Sequence, residues 1–421
     1  MAPQKRTTAG TRSNGTLAWC CENFIRRKRA TNVARRTTTE PWNDTVDQRR
    51  AMRANNAVVH WFKSDLRLYN NRALRMAYQT AKEHNIPLTS LYILSPQDLT
   101  AHLLTPARVD LILRTLHQLK RHWSEPDIPL CMEAQNVRKS IPQRIVDLCQ
   151  HWGANHRYRN LEYEVDELQR DKLVRLCAKN GINFETAHDA CVVLRGQVTS
   201  QQGKKYAVYS PWYRTWLAYL NENPDCLEHR RSRDVIWELF DSEVPAAPEN
   251  KQLSEEEKKQ LSQLYPAGEH EALRRLEAFL EEKVRDYKEA RNMMCRQTTS
   301  ILNPYSASGL LSPRTAFEHA RRPNKTCLQH GDHGLVQWLG VQRDQVPHVV
   351  QRETGFPIVD AGMRADHDKW MQNWTRMIVA SFLSKDLLID WRRSERYVME
   401  SLIDGDSASN HGGWGFGSST G

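Results

Sequence analysis

Two carboxylates and an amide stand close together near the end of the 421-residue sequence: Asp404, Gly405 and Asp406 are followed by Asn410. Carboxylate and amide oxygens accept hydrogen bonds from ring N–H groups or sugar hydroxyls, and a glycine between them lets a ligand approach the backbone closely. The same pattern also suits a helix that begins with an aspartate cap. The residues alone therefore leave a ligand site and a helix start as two interpretations.

A second polar segment could bind phosphate groups. Tyr287 precedes a run of hydroxyl and amide residues, Thr299-Ser300-Ile301-Leu302-Asn303. Consecutive hydroxyls and backbone N–H groups suit a diphosphate, because the oxygens of that anion need hydrogen-bond donors. A plain helix-capping motif explains the same residues equally well.

The motifs of the commonest catalytic classes are missing from the sequence. It contains no nucleophile elbow, P-loop, G-x-G-x-x-G, H-E-x-x-H or zinc-deaminase signature. The nine cysteines form no C-x-x-C pair, which argues against a zinc site and indicates a reducing compartment. The longest apolar stretch, Met377–Leu383, is far shorter than the roughly 20 residues of a membrane-spanning helix. The chemistry is therefore sought in the two polar segments.

The elements that must position these segments follow two successive patterns. Short runs, most of them apolar, are separated by helix-length amphipathic segments and occupy 58–62, 88–94, 128–132, 155–158 and 182–184. This βαβ spacing predicts a parallel sheet covered by helices. After Asp189 the strand pattern stops, and every later element is predicted as helix. The predicted fold class is α/β followed by all-α.

Three helices are predicted in the second half. One aromatic helix covers Trp212–Leu220, and a single charged amphipathic helix covers Glu255–Lys283. The third, near the end of the chain, has an apolar face made of Met377, Phe382 and Leu387–Leu388. Polar groups interrupt that face in a way that a simple core helix would not need.

Composition and charge divide the chain into four parts. Residues 1–55 hold 12 Lys/Arg against 4 Asp/Glu, most of the formal net charge of +10, and have no sustained apolar period. They are predicted to be a disordered basic arm, in which 26–29 (RRKR) suits a nuclear address, a phosphate-binding patch or an organellar transit peptide. An α/β domain at 56–189, a connection at 190–260 and a helical domain at 261–421 follow.

Several stretches carry a family resemblance. They are 59–67 (VHWFKSDLR), 209–212 (YSPW), 354–364 (TGFPIVDAGMR) and the C-terminal run from 373 to 414. From about Val58 to Gly421 the chain resembles the photolyase/cryptochrome flavoproteins, and most closely the fungal class I cyclobutane pyrimidine dimer photolyases. The resemblance implies the photolyase two-part fold, a Rossmann-like α/β domain followed by a helical domain that holds FAD.

The resemblance also implies which residues hold the FAD. The matching positions are Tyr287, Thr299, Ser300, Ile301, Leu302, Asn303, Asn373, Arg376, Asp404 and Asp406. Arg376 would pair with Asp404, and Asn410 would face N5 of the flavin. Both polar segments described above thus fall within one implied cofactor site.

The implied activity is light-driven repair of cyclobutane pyrimidine dimers by a monomer that binds damaged DNA, in the nucleus and also in the mitochondrion. In the family, excited reduced FAD passes an electron to a dimer flipped out of the duplex. Trp414 and Trp391 match tryptophans that carry electrons to the flavin, and Met377 and Arg343 match substrate-contacting positions. A cryptochrome-type photoreceptor and an inactive relic of a photolyase gene are the alternatives.

A second chromophore is implied in the α/β domain. His102, Asp166 and Glu167 resemble the contacts of a 5,10-methenyltetrahydrofolate antenna in this family. Such an antenna raises light capture and is dispensable for the chemistry.

The chain also departs from the family pattern. Only residues 339–353 separate Trp338 from the motif at Thr354, where the family has a longer helical segment with a lesion-stacking tryptophan, and the chain stops at Gly421, before the family's closing segment. These features predict an internal deletion and a C-terminal truncation. The expected consequences are poor solubility and weak repair or none.

Overall fold

A computed structural model describes most of the chain beyond the basic arm. The described residues are 54–123, 130–162, 176–194, 196–204, 206, 209–227, 242–284, 299–321 and 369–419.

The first described half is built on a five-stranded sheet. The strands are β1 (Ala57–Phe62), β2 (Leu88–Leu94), β3 (Leu130–Ala134), β4 (Ala154–Asn160) and β5 (Asn183–Ala187). They are all parallel and lie in the order β3-β2-β1-β4-β5. The α/β prediction is therefore confirmed, with strand bounds that differ from the predicted ones by a few residues.

Helices cover both faces of the sheet. They are α1 (Arg72–His84), α2 (Pro96–Ala101), α3 (Pro106–Trp123) and α4 (Ile141–His151). Along β1, Val58 and Phe62 join the hydrophobic cluster that contains residues of α1 and α3, whereas Val59 and Trp61 join the cluster that contains residues of α4. Because strand side chains alternate between faces, one buried strand supplies two cores.

The second half is helical. Its helices are α5 (Tyr209–Glu222), α6 (Glu255–Leu264), α7 (Glu269–Glu282), α8 (Asn303–Ala307), α9 (Pro313–Arg321), α10 (Asn373–Ser381), α11 (Trp391–Ser401) and α12 (Ser407–Gly417). The predicted aromatic helix at 212–220 lies within α5. None of the helices in the described part has the length and apolar character needed to cross a membrane.

The prediction of one charged helix over Glu255–Lys283 is wrong, because two helices occupy that stretch. Ser254 and Glu257 form a reciprocal capping box that starts α6. Pro266 and Gly268 separate α6 from α7, and the φ angle of Gly268 is +93°, which a helix cannot contain. Proline and glycine outweigh the continuous charge pattern, which alone would favour a single helix.

The predicted apolar face of the C-terminal helix is also partly wrong. The α-helical geometry of α10 ends at Ser381, and Phe382–Asp386 forms a π-helical turn. Val379 and Leu383 are the buried residues of this segment, and the wider turn shifts the side-chain period of the residues that follow it. Leu388 has a φ angle of +54° and is 82% exposed.

A buried charge network joins the sheet to the helical part. Asp189, which follows β5, accepts hydrogen bonds from Arg67 and from Arg314 of α9, whose Nη2 lies 2.5 Å from Oδ1. Arg314 also donates to the Asn70 side chain, and Arg67 donates to the Gly309 carbonyl at 2.8 Å. Burial alone raises the pKa of Asp189, but the two guanidinium groups outweigh it and hold that pKa below its ordinary value.

Candidate functional site

The centre of the candidate site is a buried ion pair between α10 and the loop before α12. Arg376 donates through Nη2 to Oδ2 of Asp404 at 2.6 Å and through Nε to the carbonyl of Met371 at 2.7 Å. The Asp404 side chain is 1% exposed. Its other oxygen, Oδ1, is buried and has no hydrogen-bond partner among the residues that the structure describes. One end of the carboxylate is therefore fixed, and the other is available to a ligand.

A second buried polar atom with no partner in the described part of the chain lies just beyond. Asn410 is 3% exposed, and its backbone N–H donates to the Asp406 carbonyl at 2.8 Å, within the first turn of α12. Its side-chain Nδ2 is buried without an acceptor among those residues. Leaving a buried polar group unsatisfied costs about 1–3 kcal/mol. Asp404 thus offers an acceptor and Asn410 a donor. A heteroaromatic ring that carries an N–H group and also a ring nitrogen or carbonyl would satisfy both.

Two tryptophans lie behind these groups. Trp414 is fully buried and packs against Ala380 of α10, and Trp391, at the start of α11, packs partly buried against the same cluster. The ring of Trp391 also contacts the ring of His411, with the two centroids 5.2 Å apart. His411 in turn lies 3.5 Å from Glu395, whose pKa is raised by burial. The two tryptophans thus belong to one cluster, here called the aromatic path, in which Trp414 is buried and Trp391 lies nearer the surface.

The second polar segment lines a separate small cavity. Thr299, Ser300 and Ile301 line an open cavity of about 180 Å³ together with residues of α7, among them the cationic Arg274 and Arg275 and the anionic Glu282. Ile301 has a φ angle of +51°, a left-handed conformation that is rare for a β-branched residue. Hydroxyls opposite guanidinium groups suit an anion such as a diphosphate.

The last two implied residues of this segment lead into the next helix. Leu302 is completely buried and precedes α8, and Asn303 is the first residue of α8. Leu302 anchors the segment in the main hydrophobic cluster.

The remaining predicted residues are scattered. His102 follows α2, with Nε2 3.3 Å from Nη2 of Arg138, which also pairs with Asp98. Met377 lies half-buried on α10, and Asn373 is the first residue of α10. Four predicted residues lie outside the described part of the chain: Asp166, Glu167, Tyr287 and Arg343.

Sequence reasoning missed the basic residues opposite the hydroxyl segment. Arg274 and Arg275 both pair with Glu271 at 2.7 Å and lie on a helix whose charge pattern indicates only a solvated face. Lys283, just after α7, lines the same cavity. No local signal separates these side chains from the other charges of that helix.

The donor set fits FAD. A buried acceptor and a buried donor without partners among the described residues are groups that a flavin ring can satisfy, and hydroxyls with cationic neighbours suit its diphosphate. A parallel α/β sheet followed by helices that bury such groups defines a two-part protein with a ring-containing nucleotide cofactor in its helical half.

Comparison with known proteins gives the family. Residues 58–229 match the DNA photolyase family, and residues 315–421 match the FAD binding domain of DNA photolyase. The deoxyribodipyrimidine photo-lyase of Neurospora crassa is 45% identical over 427 residues, which cover 90% of this chain and 69% of that protein. The mitochondrial deoxyribodipyrimidine photo-lyase of Saccharomyces cerevisiae is 30% identical over 86% of this chain and 75% of its own length. The chain therefore belongs to the DNA photolyase family.

Solved structures agree on the fold. A cryptochrome from Synechocystis superimposes with a TM-score of 0.71 at 21% identity, over 88% of this chain and 83% of that one. At this identity the likeness concerns the fold alone.

Proposed function

We propose that the protein repairs cyclobutane pyrimidine dimers in DNA with FAD and light. The observation that carries the proposal is the buried Arg376–Asp404 pair, in which Oδ1 of Asp404 faces no partner within the described residues, in a chain 45% identical to a deoxyribodipyrimidine photo-lyase. When bound, reduced FAD supplies the electron that splits the dimer after excitation by light.

The chain's own residues bind and orient the cofactor. Arg376 fixes one oxygen of Asp404, so that Oδ1 accepts from a ring N–H, and Nδ2 of Asn410 donates to a ring acceptor. Thr299 and Ser300 donate to the diphosphate, and Tyr287, Asn373 and Asp406 complete the contacts by family resemblance.

The aromatic path moves electrons inward. Trp414 and Ala380 form a buried cluster against which Trp391 packs, and Trp391 contacts the ring of His411. With FAD bound, an external reductant would give an electron to Trp391 and be oxidised, and Trp391 followed by Trp414 would carry that electron inward. Burial of Trp414 keeps water away from the inner end of this path.

The substrate is damaged DNA, with the dimer flipped out of the stack because a buried cofactor cannot reach a paired base. Met377, half-buried on α10, contacts the lesion in this proposal, together with Arg343. The predicted deletion between Trp338 and Thr354 concerns the lesion clamp and lies outside the described residues.

Further parts of the proposal concern organisation and location. The domain bounds are 56–189 and 261–421, with a connection between them, and the protein acts as a monomer. The basic arm at 1–55 directs it to the nucleus and the mitochondrion; the yeast relative named mitochondrial supports the latter. His102, Asp166 and Glu167 hold a folate antenna. A fluorescent fusion with and without the arm tests the location.

The test of function is direct. Purified, FAD-loaded protein is mixed with a duplex carrying one thymine dimer and illuminated with blue light, and the dimer is quantified against a dark control. Light-dependent loss of the dimer is expected. Flavin that is bound and photoreduced without repair would indicate a cryptochrome-type photoreceptor, and a protein that binds no flavin would indicate an inactive relic.

A further inference from the structure

We infer that Arg108 is a positioning residue that holds the two cofactor segments of the helical half in register, an inference that rests on the proposed FAD site. Arg108 is the third residue of α3, in the α/β half, and its backbone N–H donates to Oγ1 of Thr105. Its guanidinium reaches across to the helical half. There Nη1 donates to the carbonyl of Gly405, and Nη2 donates to the carbonyl of Ala307.

Both carbonyls belong to segments that carry cofactor-binding groups. Gly405 stands between Asp404 and Asp406, in the loop that presents the buried carboxylate. Ala307 is the last residue of α8, the five-residue helix that follows the hydroxyl segment at 299–301. Helix ends leave carbonyls without intrahelical partners, and the guanidinium supplies a donor to one of them.

A guanidinium suits this task for a geometric reason. Its N–H groups form a rigid planar fork, so that two carbonyls bound by its two Nη atoms keep a fixed separation. A lysine ammonium is a point charge on a flexible stem and does not impose that separation. Arg108 therefore sets the spacing between the ring-binding loop and the phosphate-binding segment.

The ring-binding loop is already held at its other contacts. Arg376 fixes Asp404 from α10, and a Cβ placed on Gly405 would lie 3.2 Å from the carbonyl of Met399, so α11 closely backs the loop. Arg108 adds a contact to this loop from the α/β half of the molecule. Its loss would move the Asp404 carboxylate without removing any group that touches the cofactor.

Arg114 provides a matched control. It lies on the same helix α3, donates through Nη1 to the carbonyl of Tyr265 at 2.8 Å and pairs with Asp110. It therefore also ties α3 to the helical half, through a backbone carbonyl that belongs to neither cofactor segment. Replacing either arginine by methionine therefore removes hydrogen bonds between α3 and the helical half.

The experiment measures the dissociation constant of FAD from the apoprotein, the visible spectrum of the bound flavin and the melting temperature. Because Arg108 acts on FAD only through the position of the Gly405 loop and the end of α8, R108M should weaken FAD binding roughly tenfold and alter the flavin bands. R108K should restore only part of the affinity. R114M should lower the melting temperature to a similar extent while leaving the dissociation constant within about twofold of the parent.

Equal dissociation constants for R108M and the parent, or equal losses in R108M and R114M, would overturn the inference while the proposed function stands. If R108M does not fold, R108K provides the test. Full parental affinity for FAD in R108K would contradict the inference, because lysine lacks the planar guanidinium. A parent chain that binds no FAD overturns the proposed function itself.

Discussion

Replacing Asp189 by asparagine should destabilise the protein strongly. The Asp189 side chain is 2% exposed and accepts hydrogen bonds from Arg67 and Arg314, and Arg314 is itself fully buried. An amide in its place leaves two guanidinium groups without their counter-charge. Breaking a buried ion pair by removing one partner costs about 3–5 kcal/mol, which is a large part of a typical stability of about 5–15 kcal/mol.

The assay is guanidinium unfolding followed by circular dichroism, with Glu400→Gln as the control. Glu400 pairs with Arg396 at 3.0 Å on the surface of α11, and exposed helix pairs contribute about 0.3–0.5 kcal/mol. The midpoint should fall markedly for D189N and hardly for E400Q. A D189N variant within about 1 kcal/mol of the parent would refute the role given to this network.

The same network predicts a pH dependence. The pKa of Asp189 in the folded protein lies below its ordinary value, so near that value the unfolded chain binds more protons than the folded one. Stability is therefore present above about pH 4 and is lost as the pH falls through the lowered pKa. D189N should lose this part of the acid dependence, which unfolding at a series of pH values measures.

Two further variants test packing and electron transfer. A Cβ added at Gly309, where φ is +69°, would clash with the Ser64 carbonyl, so G309A should lower the stability by more than about 3 kcal/mol. At Gly181, where φ is +70°, a Cβ would meet none of the described residues within 4 Å, so G181A should lower it by only about 1–2 kcal/mol; equal melting temperatures would contradict this. W414F should slow blue-light reduction of bound flavin, followed by absorbance, while W212F, in a separate cluster, should not; identical rates in W414F and the parent would contradict the aromatic path.

The sheet could be predicted from sequence because its strands are short and apolar, but β4 shows the limit of the pattern. Arg157 is fully buried there, with its guanidinium 4.5 Å from the ring centroids of both Trp61 and Phe184. Burial lowers its pKa to about 10. A charged strand residue indicates solvent exposure, and only the tertiary arrangement supplies the aromatic faces that stabilise this cation.

The candidate site, too, could be predicted only in part from the sequence. Residue types and spacing single out Asp404, Asp406 and Asn410, because these groups are close in sequence. The role of Arg376 needs the family resemblance, since nothing local pairs it with Asp404. Arg108 could not be found, because its contact with Gly405 spans 297 residues and joins two halves whose packing no local pattern encodes.

The central claim is that the buried Asp404 carboxylate holds FAD, and a titration of apoprotein with FAD tests it most directly. The parent should bind one FAD per chain, and D404N should bind it roughly tenfold or more weakly, because an amide cannot serve both Arg376 and a ring N–H as a charged acceptor. D390N, at the exposed cap of α11, should bind as the parent does. Absence of FAD from the parent, or parental affinity in D404N, would contradict the account.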